Sequence, residues 1–183
     1  MRGFTLIELM ITIAVMAILA SLAAPALGTF VTRSTMRSIS ADFSLGLQRA
    51  RSEAINRNEC VAMCMSDNTT SAAPSCLTAD ANWGVGWIVF SYPACTPASG
   101  IAFTRPTTEN IVLTREGASP RFRINGVERF VMFNARGVPG LGGAGSFDLL
   151  DTQATTDADK KFNRTFCLDQ VGRVKTIAAE TTC

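Results

Sequence analysis

Twenty-four consecutive residues, Leu9 to Thr32, carry no charge, and that run limits what the chain can fold into more than any other feature. As an α-helix it rises about 36 Å, at roughly 1.5 Å per residue, enough to cross a bilayer core of about 30 Å. One acid, Glu8, stands at its head. On insertion scales a carboxylate in the middle of a membrane costs roughly 2.5–3.5 kcal/mol, so such a group normally has a partner or lies near an interface. One explanation is local. Thr5-Leu6-Ile7-Glu8 fits the S/T-x-x-E capping box, which ties up free amides at a helix start in any kind of protein.

The other explanation comes from a likeness. Gly3-Phe4-Thr5-Leu6-Ile7-Glu8 resembles the processing site of the type IV pilin and pseudopilin superfamily. In that family a dedicated prepilin peptidase cuts after the glycine, and the new first residue, usually phenylalanine, is N-methylated. The resemblance implies a leader over residues 1–3, with Gly3 and Phe4 as processing residues, and a membrane-spanning and assembly helix over residues 4–30. It further implies a periplasmic globular domain over residues 31–183 that includes the second half of the helix. Glu8 then takes the family's assembly role, meeting the free amine of a neighbouring subunit, which gives the carboxylate a counter-charge. The implied partners are other major and minor pilins, the prepilin peptidase and the inner-membrane assembly platform. A secretory signal is the competing reading, with Arg2 as charged region, Leu9 to Ala20 as apolar core and Ser21-Leu22-Ala23-Ala24 as cleavage site. Glu8 opposes it, because an acid stands where basic or apolar residues belong. Arg2 on one side of the run faces Arg33 and Arg37 on the other, so positive-inside counting decides little.

Beyond the helix, the remainder of the 183 residues is the size of one globular domain. Lys and Arg exceed Asp and Glu only as 17 to 15, too small a margin to announce a nucleic-acid protein. Cys60, Cys64, Cys76, Cys95, Cys167 and Cys183 all follow the apolar run, and an even set on one side of a membrane suggests disulfides in an oxidising compartment, here the periplasm. Six cysteines allow fifteen pairings, and sequence does not choose among them. Cys64 with Cys76 would close the loop containing Asp67 to Ser75, and Cys167 with Cys183 would fasten the tail, leaving Cys60 and Cys95. Paired C-x-x-C knuckles are missing and the chain has no histidine, which argues against zinc and against Ser-His-Asp or Cys-His catalysis. No cofactor is called for.

Ile39, Phe43, Leu47, Ala50 and Ala54 recur at spacings of three and four while Arg49, Arg51 and Glu53 point elsewhere, so one helix is expected from about Thr5 to Arg57. Pro25 should kink it. Strand signals follow at 60–65, 86–91, 111–114, 121–124, 127–133, 147–150, 165–168 and 174–178. Asn125-Gly126 reads as a two-residue hairpin turn, and Asn68 to Pro74 and Pro93 to Gly100 read as exposed loops. A long helix followed by short strands is an α+β layout, the helix laid over antiparallel sheet. Asn82-Trp83-Gly84-Val85-Gly86-Trp87-Ile88-Val89-Phe90 resembles the W-x-x-G-W strand of the GspH and FimT/FimU branch of the superfamily. Its residues first suggest packing: two large rings, and two glycines that admit a close backbone.

Gly140-Leu141-Gly142-Gly143-Ala144-Gly145 satisfies G-x-G-x-x-G, but it leads into a strand rather than a helix and reads as a flexible loop. Arg115, Arg121, Arg123 and Arg129 read as a solvated strand face. Gly172-Arg173-Val174-Lys175 resembles a G-R-x-R sequence in some FimT-type pilins that capture DNA, with Lys175 keeping the charge but losing the bidentate fork. Strand alternation places Arg173 and Lys175 on one face as candidate contacts for double-stranded DNA, with Lys160, Lys161 and Arg164 extending the patch and Asp157, Asp159, Asp169 and Glu180 opposing it. The resemblance thus implies a non-enzymatic minor type IV pilin of α+β fold, a structural subunit of a pilus initiation or tip complex. A type II secretion pseudopilin and a DNA-binding pilin are the alternatives.

Overall fold

The computed structural model describes residues 4–77, 82–93, 95, 110–126, 128–140, 144–179 and 183, and of residues 22–26 the backbone alone. One helix, α1, runs unbroken over Leu6–Arg57. Thr5 caps it in an extended conformation with both halves of the capping box formed, and Asn58 ends it in the left-handed region at φ 55. The kink expected at Pro25 falls on residues whose side chains lie outside the described set. Among the described residues no helix is long and apolar enough to cross a membrane. The described apolar stretch ahead of residue 22, Leu6 to Ser21, rises about 24 Å, short of a bilayer core of about 30 Å.

Eight strands follow: β1 Val61–Met65, β2 Gly86–Ser91, β3 Ile111–Glu116, β4 Phe122–Gly126, β5 Phe130–Phe133, β6 Gly145–Asp151, β7 Arg164–Leu168 and β8 Val174–Ala178. Each lies at or near a stretch that the alternation of apolar residues marks. A 3-10 turn, Trp83–Val85, leads into β2, and a one-turn helix, α2, spans Asp157–Lys160. The strands form two antiparallel four-stranded sheets rather than one, in the orders β3-β2-β1-β5 and β4-β6-β7-β8.

That division corrects the reading of Asn125-Gly126 as a hairpin turn. Both residues lie inside β4 and pair with Asp148 and Phe147 of β6, while β5 joins the other sheet beside β1. Glycine suits position 126 because the Phe147 ring, 2.5 Å from where a Cβ would sit, fills its space. Local turn preference yields here to long-range pairing.

The core lies between the second half of α1 and both sheets. Met36, Ile39, Phe43, Leu47, Ala50 and Ala54 form its helical stripe. Phe43 is the centre, with ring centroids 5.6 Å from Trp83, 5.4 Å from Trp87, 5.3 Å from Phe147 and 4.9 Å from Phe166, mostly edge to face. Trp83 and Trp87 are both buried, so their role is packing. Gly86 reaches φ 120, and a Cβ there would meet the carbonyl oxygens of Arg115 and Ser66 at 2.7 and 2.8 Å, so only glycine serves between these tryptophans.

The helix's polar side needs two corrections. Glu53 is buried, with Arg49 at 2.9 Å and Arg57 at 2.8 Å. Arg51 donates to the carbonyls of Gly137 and Val171, tying α1 to two turns. Neither points idly into solvent.

Every residue of β1 is buried, because the sheet has a second apolar cluster behind it: Cys60, Ala62, Cys64, Ile88, Phe90, Phe130 and Met132. Two disulfides cover that face, Cys60–Cys95 and Cys64–Cys76, and a third, Cys167–Cys183, fastens the last residue to β7. These are the same three pairs that the sequence reading set out. By loop closure the first, 35 residues apart, contributes about 4 kcal/mol and the others, 12 and 16 apart, about 3 kcal/mol each. The loop Asn68 to Pro74 is less exposed than expected: Thr69 and Pro74 are buried, and the Asn68 side chain ties Ser66 to Ser75. Of Pro93 to Gly100, residues 94 and 96–100 lie outside the described set.

Candidate functional site

The amino-terminal end comes first because the sequence places its clearest motif there. Gly3 lies outside the described residues. Phe4 is 92% exposed, and from Leu6 to Val31 the described large apolar side chains of α1 are 50% or more exposed. Glu8 folds back on its own helix start. Its Oε2 accepts from the Thr5 amide at 2.9 Å and the Thr5 hydroxyl at 3.0 Å, while Thr5 Oγ1 accepts from the Glu8 amide at 3.3 Å. The local explanation of Glu8 is therefore realised within the chain. Its Oε1 accepts no bond among the described residues, so the carboxylate keeps an acceptor for a cation from outside.

The second candidate is the turn between β7 and β8. Asp169 accepts from the amides of Val171 and Arg173 at 3.0 and 2.7 Å and from Arg173 Nε at 2.8 Å. These bonds, the Arg173 amide foremost, hold the Asp169 carboxyl below its ordinary range. Arg173 stands immediately ahead of β8, exposed like Lys175 two residues on. Arg173, Lys175 and Asp169 do line one depression of 540 Å³ beside the Cys167–Cys183 disulfide. Arg164 pairs with Ala178 and Lys175 with Cys167 in the β7–β8 ladder, three steps apart, roughly 10 Å. Arg164 lines a separate groove with α1, and Lys160 and Lys161 a hollow at the end of β8, so the depression itself holds one lysine and an arginine engaged by a carboxylate.

Sequence reasoning missed a third arrangement, where α1 leaves the domain. Arg121, just ahead of β4, grips Asp151 at the end of β6 with two bonds, Nε to Oδ1 at 2.8 Å and Nη2 to Oδ2 at 2.7 Å. The same Nη2 donates to Thr32 Oγ1 of α1 at 3.1 Å. The guanidinium pulls the Asp151 carboxyl below its usual range, opposed by burial, and the carboxylate in turn raises Arg121. Arg115 likewise pairs with Asp42 of α1 at 2.8 Å. Neither arginine belongs to a solvated strand face. Their partners lie 30 and 73 residues away, and only the buried alternation Phe122, Ile124 hinted that Arg121 stood at a strand's edge. Among the described residues no group of three or more Cys, Asp or Glu is placed to hold a metal ion.

Comparison with known proteins agrees with this architecture. Residues 40–172 match the model of the type II transport protein GspH, and residues 1–24 match the prokaryotic N-terminal methylation motif. None of the curated proteins matches the chain in sequence. In fold it is similar to the Pseudomonas aeruginosa type IV minor pilin FimU, at 18% identity and a TM-score of 0.55 over 81% of this chain and 92% of that one. A second crystal form of FimU gives 18% identity and 0.52 over 77% and 91%. At that identity the likeness speaks to the fold alone.

Proposed function

The chain belongs to the family of the type II transport protein GspH, and from that membership we propose that it serves as a minor type IV pilin, a subunit of the complex that initiates or tips a pilus. The observation that carries the reading is the apolar head of α1. The described large apolar side chains from Phe4 to Val31 stand uncovered, on a stretch that overlaps residues 1–24, which match the methylation motif. Water penalises such a surface, whereas a bilayer or a bundle of like helices buries it. The family is one of structural subunits.

Residues 1–3 are read as a leader removed by a prepilin peptidase after Gly3, and residues 4–30 as a helix that spans the inner membrane and later packs among other pilins. Residues 31–183 form the periplasmic domain, where three disulfides suit an oxidising compartment. Glu8, with Oε1 uncommitted, pairs with the methylated amine of a neighbour. Glu8→Ala should leave the chain in the membrane fraction yet lower its amount in sheared pili, and equal incorporation would sink that role. Gly3→Leu should block processing, which an unchanged electrophoretic mobility against wild type would contradict.

Deleting the gene separates the pilus from type II secretion. Loss of twitching with normal exoprotein release supports the pilin; the reverse outcome makes the chain a pseudopilin. Capture of double-stranded DNA has less support, since Asp169, bonded to Arg173 Nε, offsets part of the charge a phosphate would meet. A salt-sensitive gel shift that disappears in an Arg173→Gln, Lys175→Gln variant is the result that would restore it.

A further inference from the structure

A groove between α1 and the second sheet gathers three guanidinium groups with no described counter-charge. Arg33 and Arg37 project from successive turns of α1, and Arg164 faces them from β7. Arg164 is oriented by its own Nη1, which donates to the carbonyls of Lys161 and Asn163. Among the described residues none of the three forms an ion pair. Asp42, the nearest acid along the helix, is taken by Arg115, and Asp151 and Asp159 line a neighbouring hollow on the other flank of Phe162. Lys161 lies near the groove without lining it, its Nζ 5.1 Å from the Phe162 ring, in an adjacent hollow shared with Asp157.

The groove holds 230 Å³, below the roughly 300–1,000 Å³ of pockets for drug-sized molecules but ample for a phosphate group. Ser40, Ser44 and Thr176 line it with hydroxyls, those of Ser44 and Thr176 sharing a bond at 3.3 Å, and Phe162 gives it an apolar edge beside buried Met36. Guanidinium forks, hydroxyl donors and an apolar edge suit a phosphate diester joined to hydrocarbon.

Its position along α1 supplies the source of that phosphate. Exposed apolar side chains continue to Phe30 and Val31, and Arg33 follows two residues later. Arg33 and Arg37 are about 6 Å apart along the axis, which matches the headgroup zone of about 5–8 Å on each side of a bilayer core. Both cations stand on the side of the membrane where the positive-inside tendency disfavours them, so they call for a reason to be there. We propose that this groove binds the phosphate of an anionic phospholipid in the leaflet from which α1 emerges, fixing the domain's depth and tilt before assembly. The proposal rests on the reading of α1 as a membrane helix.

The test uses the full chain in nanodiscs of phosphatidylcholine with a minor fraction of phosphatidylglycerol, re-extracted in neutral detergent, with retained lipid counted by mass spectrometry. Wild type should retain phosphatidylglycerol over phosphatidylcholine. Arg33→Gln with Arg37→Gln, both exposed helix positions, should lower that retention by about tenfold or more, while the Lys double variant keeps part of it. An Arg164→Gln variant should weaken it independently. No preference in wild type, or unchanged retention in the Gln variants, overturns the proposal. Displacement by excess inorganic phosphate makes the groove a free-anion site and overturns the lipid assignment, and displacement by a short DNA duplex does the same in favour of nucleic acid. Alkaline carbonate treatment tests the underlying reading separately: release of the chain refutes the membrane helix, whereas an embedded chain without lipid preference refutes only the groove.

Discussion

The two halves of α1 share one backbone and obey different rules. From Met36 to Ala54 apolar residues recur every three or four positions and every one of that stripe is buried under the sheets. From Leu6 to Val31 apolar residues stand all round the helix, and those whose side chains are described are exposed. A stripe implies one apolar neighbour and water opposite; an unpatterned apolar surface implies surroundings that are apolar on every side. The second half is therefore completed by its own chain, and the first half requires a bilayer or other helices.

The largest expected effect tests the completed half. Phe43→Ala removes the ring shared by Trp83, Trp87, Phe147 and Phe166 and should cost about 3–5 kcal/mol in chemical denaturation of the detergent-solubilised chain, read by tryptophan fluorescence. A loss under about 1 kcal/mol would mean the stripe does not anchor the domain.

The next effect falls at the junction, where Arg121 ties Asp151 to Thr32. Asp151→Asn should cost about 1.5–3 kcal/mol near neutral pH, the range for hydrogen bonds to charged groups. Because the folded carboxyl titrates lower than the unfolded one, near 3.9, its contribution is fully present above about pH 4 and lost as pH falls through the folded value. Denaturation curves at neutral and acid pH should therefore converge for wild type and variant as the acid is increased. A constant gap would assign the loss to packing.

A smaller pair of effects differs in sign between the halves. At Gly46 a Cβ would sit 2.9 Å from Trp87 Nε1 and 3.0 Å from Met63, so Gly46→Ala should destabilise by about 1 kcal/mol once the helical gain of alanine is offset. At Gly28 a Cβ meets nothing within 4 Å, so Gly28→Ala should raise helix stability by up to about 1 kcal/mol, visible in far-UV thermal melts. Equal signs would erase the distinction. The smallest effect is Leu19→Ala, expected within about 0.5 kcal/mol on domain unfolding because its exposed side chain touches no core.

How legible the molecule was follows from the range of each interaction. Helix limits and strands are local patterns, so Thr5 to Arg57 and the alternating stretches could be read directly. The Asn125-Gly126 turn misled because its preference is local while the β4–β6 pairing is not. Arg121 and Arg115 were counted as solvated because nothing near them in sequence shows Asp151 or Asp42. Asp169 stood four residues from Arg173, near enough to be named as a neutralising acid, and it is one. The capping box was legible because Thr5 and Glu8 interact within one turn, and the Gly3 to Glu8 motif by its likeness to a family pattern.

The unbroken course of α1 also has a mechanical consequence. With 52 residues it measures about 78 Å, and its inner end is wedged under the Phe43 cluster with no linker between. The exposed half of α1 and the domain therefore move as a piston and its head. Drawing the apolar run of 24 residues out of a bilayer carries the domain outward by about 36 Å in the same stroke, and any turn of the helix about its axis turns the sheets with it.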